Sequence, residues 1–141
     1  MDNIELYVVH GLYFNDRKVA SADVFLYGTF SNKWVAYKYA CRLLLKELTQ
    51  MFGEPKPIRC QDELEDDAIY NNQQVVKAYD IYKDNSTVSY TENGVDHVRN
   101  KLEWDVKYAR INSIFEQMRE ETKENDMTGL YIYVDKTKHT N

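Results

Sequence analysis

The chain has 141 residues, the usual length of one domain, and its 43% hydrophobic and 29% charged residues lie near globular averages, which excludes a fibrous or wholly disordered chain. Its net charge of -5 argues against generic nucleic-acid binding, because that affinity depends on Lys and Arg meeting phosphates. The start lacks the features of a secretory signal, and no apolar run approaches a membrane span. We therefore predict one domain, residues 1–141, in a soluble cytosolic protein without a membrane partner.

The first elements predicted along the chain are two antiparallel strands. Apolar and polar side chains alternate from Ile4 to Phe14 and from Ala20 to Tyr27, and the turn-forming segment "NDRK" separates the two runs. The segment "LYIYVD" after Gly129 alternates in the same way and predicts a closing strand. Each strand then has an aliphatic face (Leu6, Val8, Val24, Leu26, Leu130, Ile132, Val134) and an aromatic face (Tyr7, Tyr13, Phe25, Tyr27, Tyr131, Tyr133).

A helix of about 20 residues is predicted directly after the second strand. Gly28 interrupts the strand, Ser31 or Asn32 can cap the helix, and Gly53 can end it. Apolar residues recur every three or four positions between these limits, so one side of the helix should cover the aliphatic face of the sheet. Cys41 lies on this apolar side, and we interpret it as a core residue rather than as part of a disulfide or metal site.

The middle of the chain permits two interpretations. Residues 54–72 join a proline-stiffened loop to an acidic cluster, which we interpret as a solvated helix start of one or two turns. Residues 75–94 are typical of a second hairpin that turns at residues 84–86. The segment Val75–Tyr82 could instead extend a helix that begins at Asp62.

A long helix is predicted next. Asn93 or Asp96 can cap it, and the apolar repeat continues for about 30 residues, to about Asn125. A helix of that length would project from so small a domain, and its exposed part should contact another copy of the chain. The predicted fold is thus α+β, with an antiparallel sheet in the order β-β-α-β-β-α-β, one helix of about 20 residues and one of about 30.

The aromatic face of the sheet has two possible roles. The long helix can pack on it, with the tyrosine hydroxyls reaching water at the rim. Alternatively, it can be a contact surface, because tyrosine offers large and rigid area that suits subunit contacts and stacking on planar rings. Both roles hold if the covering helix belongs to a neighbouring copy.

Motifs of catalysis and metal binding are absent from the sequence. Of the three histidines, only His97 lies beside acids, Glu92 and Asp96, and a surface position explains it as well as a catalytic one. We predict no catalytic residues, no metal and no cofactor. A small nucleotide hydrolase remains an alternative, and His97 would be its first candidate residue.

Arginines and tyrosines suggest a binding site instead. Arg59 lies in the proline-stiffened loop, and Arg110 lies on the predicted long helix with Arg99 and Arg119. Arginine forks suit phosphate oxygens, and a ring such as Tyr90 or Tyr82 can stack on a base. This composition is the one expected for capture of a small phosphorylated nucleotide.

The junction "GTF-S-x-x-x-x-A", Gly28 to Ala36, resembles that of small phage proteins that open with a hairpin. The order of elements also resembles the phage sponge proteins that counter the Thoeris defence by sequestering cyclic ADP-ribose isomers. The resemblance implies phosphate, stacking and ribose contacts at Arg59, Tyr90, Asn93 and Arg110. It also implies a homo-oligomer that acts in the host cytoplasm and sequesters a cyclic nucleotide or ADP-ribose-type ligand without cleaving it.

A protein inhibitor is the alternative function. Such a protein, comparable to an anti-CRISPR, would use its aromatic and acidic surfaces to occlude a host defence enzyme. The sequence leaves both functions open.

Overall fold

The structure is a computed structural model that describes residues 3–14, 22–56, 67–85, 87–100, 103–122 and 129–140. Within these residues, no helix is both long and apolar enough to cross a membrane. In chain order the elements are β1 (Asn3–Phe14), β2 (Ala22–Phe30), α1 (Lys33–Phe52), α2 (Asp67–Lys83), β3 (Thr87–Glu92), β4 (Val95–Asn100), α3 (Trp104–Thr122) and β5 (Gly129–Thr140).

The fold is α+β with antiparallel sheets, as predicted. The three strands predicted at the two ends of the chain form one sheet, with the order β2-β1-β5, and β3 pairs with β4 in a separate hairpin. The predicted order of elements is wrong in the middle of the chain. A second helix stands between α1 and β3, so the observed order is β-β-α-α-β-β-α-β.

Helix α2 occupies the segment in which the first strand of a second hairpin was predicted. Val75, Ala78 and Ile81 are buried at a spacing of three residues, which a helix places on one side and a strand would divide between two faces. The alternative interpretation, a helix through this segment, is therefore the correct one. The turn predicted at residues 84–86 follows the end of α2 at Lys83 and is not the turn of the hairpin.

The predicted long helix is in fact two elements. Residues 95–100 form β4, and α3 begins only at Trp104 and has 19 residues. Asn93 and Gly94 form the turn of the β3–β4 hairpin, with φ of 53° and 77°. Asn-Gly is the preferred pair where both turn residues need positive φ. The cap predicted at Asn93 or Asp96 is wrong, and so is the projecting helix end from which contact with another copy was inferred.

Helix α1 has the predicted length of 20 residues. Asn32 caps it, since the side-chain oxygen accepts hydrogen bonds from the amides of Trp34 at 2.8 Å and Val35 at 3.2 Å. Gly53 follows the last residue with a φ of 94°. One side of α1 forms the centre of the core, against α2, α3 and the three-stranded sheet, through Ala36, Ala40, Cys41, Leu44, Leu45 and Leu48.

Helix α1 covers one face of the three-stranded sheet, with α2 and α3 packed on α1, and only β5 presents the predicted residues to this side. Leu130, Ile132 and Val134 of β5 pack in the core. In β1 and β2 the predicted orientation is wrong, because residues of the aromatic face point inward. Val9 is fully buried, and the rings of Tyr7, Tyr27 and Phe30 pack against the core.

Gly11 accounts for the orientation of β1 and β2. It pairs with Ile132 and so lies on the inner face, where a Cβ atom would be 2.5 Å from Cε2 of Tyr27. The space above Gly11 is therefore occupied by the Tyr27 ring, and a shift in register opposite Val9 and His10 directs that ring inward. The face turned away from the helices, called the outer face below, consequently carries Leu6, Val8, His10, Leu12, Val24, Leu26, Tyr131 and Tyr133.

Candidate functional site

The residues predicted to bind a ligand lie in different parts of the fold. Tyr90 is in β3, and its ring stacks on His97 of β4, with centroids 5.0 Å apart. Asn93 is in the exposed turn of the same hairpin. Arg110 is an exposed residue of α3. Arg59 lies outside the described residues.

Arg110 is not brought to the hairpin by any contact that the structure describes. It lines a hollow of about 380 Å³ together with residues of α2 and the chain that follows it, Lys77, Asp80, Ile81, Lys83 and Asp84. The β3–β4 hairpin has no extensive contact with the other described elements. The binding site composed of Arg59, Tyr90, Asn93 and Arg110 therefore stays a prediction.

His97 and its acidic neighbour are also separated by the local structure. Since β4 is a strand, Asp96 and His97 point to opposite faces of the hairpin. Asp96 accepts a hydrogen bond from the Thr91 hydroxyl at 2.8 Å, and His97 stacks on Tyr90. Among the residues that the structure describes, no three His, Cys, Asp or Glu side chains converge as metal ligands would.

A larger cavity, the α1–α2 cleft, lies between the first two helices and has a volume of about 500 Å³. Residues about one turn apart on the polar side of α1 and near the end of α2 point into it, because both helices place such residues on one face. The lining consists of Arg42, Leu45, Lys46, Thr49, Gln50 and Glu54 on one side and Tyr79, Tyr82 and Lys83 on the other.

Hydrogen bonds hold the two tyrosines of the cleft in place. Arg42 donates from Nε to the Tyr82 hydroxyl at 3.0 Å. The Thr49 hydroxyl donates to the Leu45 carbonyl at 2.8 Å, so the Tyr79 hydroxyl, 2.6 Å away, must donate to Thr49. Both rings thus have fixed positions before any ligand arrives.

The cleft is electropositive although the whole chain is acidic. Arg42, Lys46 and Lys83 contribute three cations, against the single carboxylate of Glu54. In the described part of the chain, neither Arg42 nor Lys46 forms a salt bridge. The hydrogen bond to Tyr82 raises the pKa of Arg42 further, so its guanidinium stays charged. An anion entering this cleft would meet three cations and one carboxylate.

Lys107 of α3 fixes the end of α2 that carries the tyrosines. Its side chain is 1% exposed, and Nζ donates to the carbonyl oxygens of Tyr82 at 3.1 Å and Asp84 at 2.8 Å. The ammonium also lies 4.2 Å from the ring centroid of Trp104, which in turn packs against the Tyr82 ring. Burial lowers the pKa of Lys107. The wall of the cleft that α2 provides is therefore anchored from a third helix.

The sequence indicated the composition of this cleft but not its place. Tyr82 was considered as a stacking ring, whereas Arg42 and Lys46 of the first helix were not considered for the site. The spacing Arg42, Lys46, Thr49 already predicts one face of a helix. Tyr79 could be added to that site only once residues 75–82 were known to be helical, since a strand would send Tyr79 and Tyr82 to opposite faces.

In comparisons with known proteins, no family model, no curated protein and no solved structure matches the chain. The resemblance to phage sponge proteins gains no support from them. The function must be argued from the cleft itself.

Proposed function

We propose that the chain is a binding protein that captures a small phosphorylated nucleotide in the α1–α2 cleft. The observation that carries this proposal is the convergence of three cations and two oriented tyrosine rings on a cavity of about 500 Å³. Cavities of about 300–1,000 Å³ are typical of small-ligand sites. The ligand class is a cyclic nucleotide or an ADP-ribose-type molecule, since both combine phosphates with a flat base.

Each side of the cleft has a separate task in this proposal. Arg42 and Lys46 on α1, with Lys83 on α2, bind the phosphate oxygens through charge-assisted hydrogen bonds. The rings of Tyr79 and Tyr82 provide apolar faces on which a base can stack. The Tyr82 hydroxyl accepts from Arg42 and keeps its own proton, which it can donate to a ribose or phosphate oxygen.

The biological part of the proposal follows the resemblance. A phage protein of this kind would sequester a cyclic nucleotide signal in the host cytoplasm and release it slowly, without cleaving it. Rings already held in place favour tight binding, because they need little further ordering when the ligand binds. Arg59, Tyr90, Asn93 and Arg110 keep the role of a competing site in the same proposal.

Calorimetric titration with cyclic ADP-ribose, ADP-ribose and a cyclic dinucleotide tests the binding. We expect at least one of them to bind, and we expect Arg42→Ala and Lys46→Ala to weaken its Kd about tenfold or more, because each removes a charge-assisted hydrogen bond of about 1.5–3 kcal/mol. Arg110→Ala is the matched control, since it removes one exposed cation outside the cleft and should leave the Kd unchanged.

The fate of the ligand separates the candidate functions. Heating the complex should release the nucleotide intact, which a sequestering protein requires. Recovery of an altered nucleotide would instead identify a hydrolase and make His97→Ala the next variant. No binding of any nucleotide, or a loss of binding in Arg110→Ala alone, would contradict the assignment of the α1–α2 cleft.

A protein inhibitor remains the second candidate, and one observation favours it. Val24, Phe25 and Leu26 of β2 are exposed hydrophobic neighbours, with 71%, 44% and 70% of their surface accessible. Apolar side chains exposed on both faces of one sheet edge are typical of protein contacts. An inhibitor would bind no nucleotide and would co-purify with a host enzyme.

A further inference from the structure

Strand β2 is an open edge of the three-stranded sheet. In the described part of the chain it pairs with β1 alone, so the backbone donors and acceptors along its other side face outward. Val24, Phe25 and Leu26 are consecutive, and consecutive residues of a strand point to opposite faces. Their exposure therefore means that both faces of the sheet are open at this edge, on the helix side as well as on the outer face.

The two edges of this sheet differ in protection. Proteins commonly place lysine or proline on edge strands to prevent pairing with other strands. The edge strand β5 contains Lys136 and Lys138, and Lys136 forms a salt bridge with Glu5 at 3.1 Å. The edge strand β2 has no lysine, arginine or proline, and Asp23 is its one charged residue.

We propose that β2 is a dimerisation edge, on which β2 of a second copy pairs antiparallel and extends the sheet to six strands. Such a contact uses the same residues on both copies, which a two-fold rotation axis relates. The assembly is therefore complete with two copies. Pairing of β2 with β5 of the next copy would instead leave free edges and grow into a fibre, and the lysines of β5 oppose it. This inference is independent of the nucleotide site.

The sequence of β2 suits pairing with itself. An antiparallel register centred on Phe25 places the two Phe25 rings across from one another and Val24 across from the partner's Leu26. Asp23 then lies across from the partner's Tyr27 and not from the partner's Asp23. Apolar cross-strand pairs of this kind stabilise a sheet, and like charges placed opposite would destabilise it.

The size of the contact sets its expected strength. A short strand pair with three exposed apolar side chains per copy buries less surface than a standard interface, which buries roughly 800 Å² per partner. Neighbouring residues of the outer face, such as Leu12 and His10, would add little because they are already half-buried. We therefore expect a weak, transient dimer with a Kd in the micromolar range.

Sedimentation velocity over a wide range of protein concentration tests this inference. The wild-type chain should shift from monomer to dimer as concentration rises. Leu26→Lys should raise the dimer Kd about tenfold or more, because each lysine replaces the apolar residue across from Val24 and the two added charges lie diagonally across the paired edge. Thr137→Lys is the matched control, since it adds lysine to the same outer face on the opposite edge and should dimerise as the wild type does.

The dimer edge is refuted by measurements of self-association and hydrogen exchange, whereas the proposed function is refuted by measurements of nucleotide binding. A wild-type monomer at every concentration, or equal dimerisation by Leu26→Lys and Thr137→Lys, would refute the dimer edge. Slow hydrogen exchange of the outward amides of β2 in a monomer would also refute it, by showing that the chain itself covers the edge. Nucleotide binding should be the same in wild type and Leu26→Lys whichever result is found.

Discussion

Tyr108 shows how a single buried hydroxyl can make stability depend on pH. Its hydroxyl donates to the Ile132 carbonyl and ties α3 to β5, and its ring packs against Tyr37 with centroids 5.4 Å apart. Burial raises the pKa of Tyr108 above the ordinary value of 10.0. The folded chain thus keeps this proton at a pH where the unfolded chain has lost it. Its contribution to stability is full below pH 10 and is lost as the pH rises further.

Replacing Tyr108 with Phe should separate the hydrogen bond from this ionisation. At pH 8 we expect Tyr108→Phe to lower the free energy of unfolding by about 1 kcal/mol, the net contribution of one hydrogen bond. Above pH 10 the difference from the wild type should shrink, because only the wild type loses stability through this group. Urea denaturation at both pH values gives the comparison. A difference that grows with pH would contradict the account.

Two further residues show what a sequence can and cannot reveal at this scale. Cys41 was predicted to lie in the core, and it is fully buried, with a pKa that burial raises to about 12. Arg119 was predicted only to lie on the long helix, and it is 8% exposed. Its guanidinium lies between the rings of Phe115 and Tyr131 and donates to the Leu130 carbonyl and Glu116. The contact with β5 joins residues distant in sequence, so no local pattern indicates it.

Among the elements, α1 depends most directly on its cap. The Asn32 side chain satisfies two amides of the first turn, whereas Ser31, the other candidate, stands one position too early. Asn32→Ala should therefore destabilise the fold by about 1 kcal/mol. Ser31→Ala should have an effect near zero and serves as the control. The free energy of unfolding of both variants is measured by urea denaturation. An equal decrease in the two variants would show that the Asn32 cap does not stabilise the helix as its hydrogen bonds imply.

Elements with strong local signals could be predicted, and those decided by competing signals could not. Helix α1 has a cap, an apolar repeat and a terminating glycine, and all of them agree. The segment Val75–Tyr82 was compatible with a strand as well as a helix, and the burial of Val75, Ala78 and Ile81 decides for a helix. The apolar repeat after Asn93 predicted a long helix, whereas the Asn93-Gly94 pair predicts a hairpin turn. The structure shows that the turn prediction is the correct one.

The faces of the sheet were beyond what alternation can specify. Alternation shows that a strand has two different faces, but it does not say which one meets the helices. Here the choice depends on Gly11, whose missing side chain makes room for the Tyr27 ring, and on the register shift beside it. Both features depend on how β1 and β2 pair, which neither strand's own sequence shows. The same limit applies to the candidate site, because Arg42 and Tyr82 are 40 residues apart and meet only after α1 packs on α2.

At the scale of the whole molecule, the net charge and the charge of the α1–α2 cleft have opposite signs. The chain has a net charge of -5, while the α1–α2 cleft collects three cations. A net negative charge disfavours binding of long polyanions such as DNA, and a local cluster of cations still attracts a small anion at close range. This arrangement favours a compact phosphorylated ligand over a nucleic acid, in agreement with the proposed function.

The position of the ligand is the central claim, and amide shift mapping by nuclear magnetic resonance tests it most directly. Labelled protein would be titrated with the nucleotide that binds best in calorimetry. We predict that the largest shifts fall on α1 around Arg42, Lys46 and Thr49 and on α2 around Tyr79 and Tyr82, with the β3–β4 hairpin unchanged. Shifts concentrated at Tyr90 and Asn93, or around Arg110, would place the site elsewhere and contradict the account.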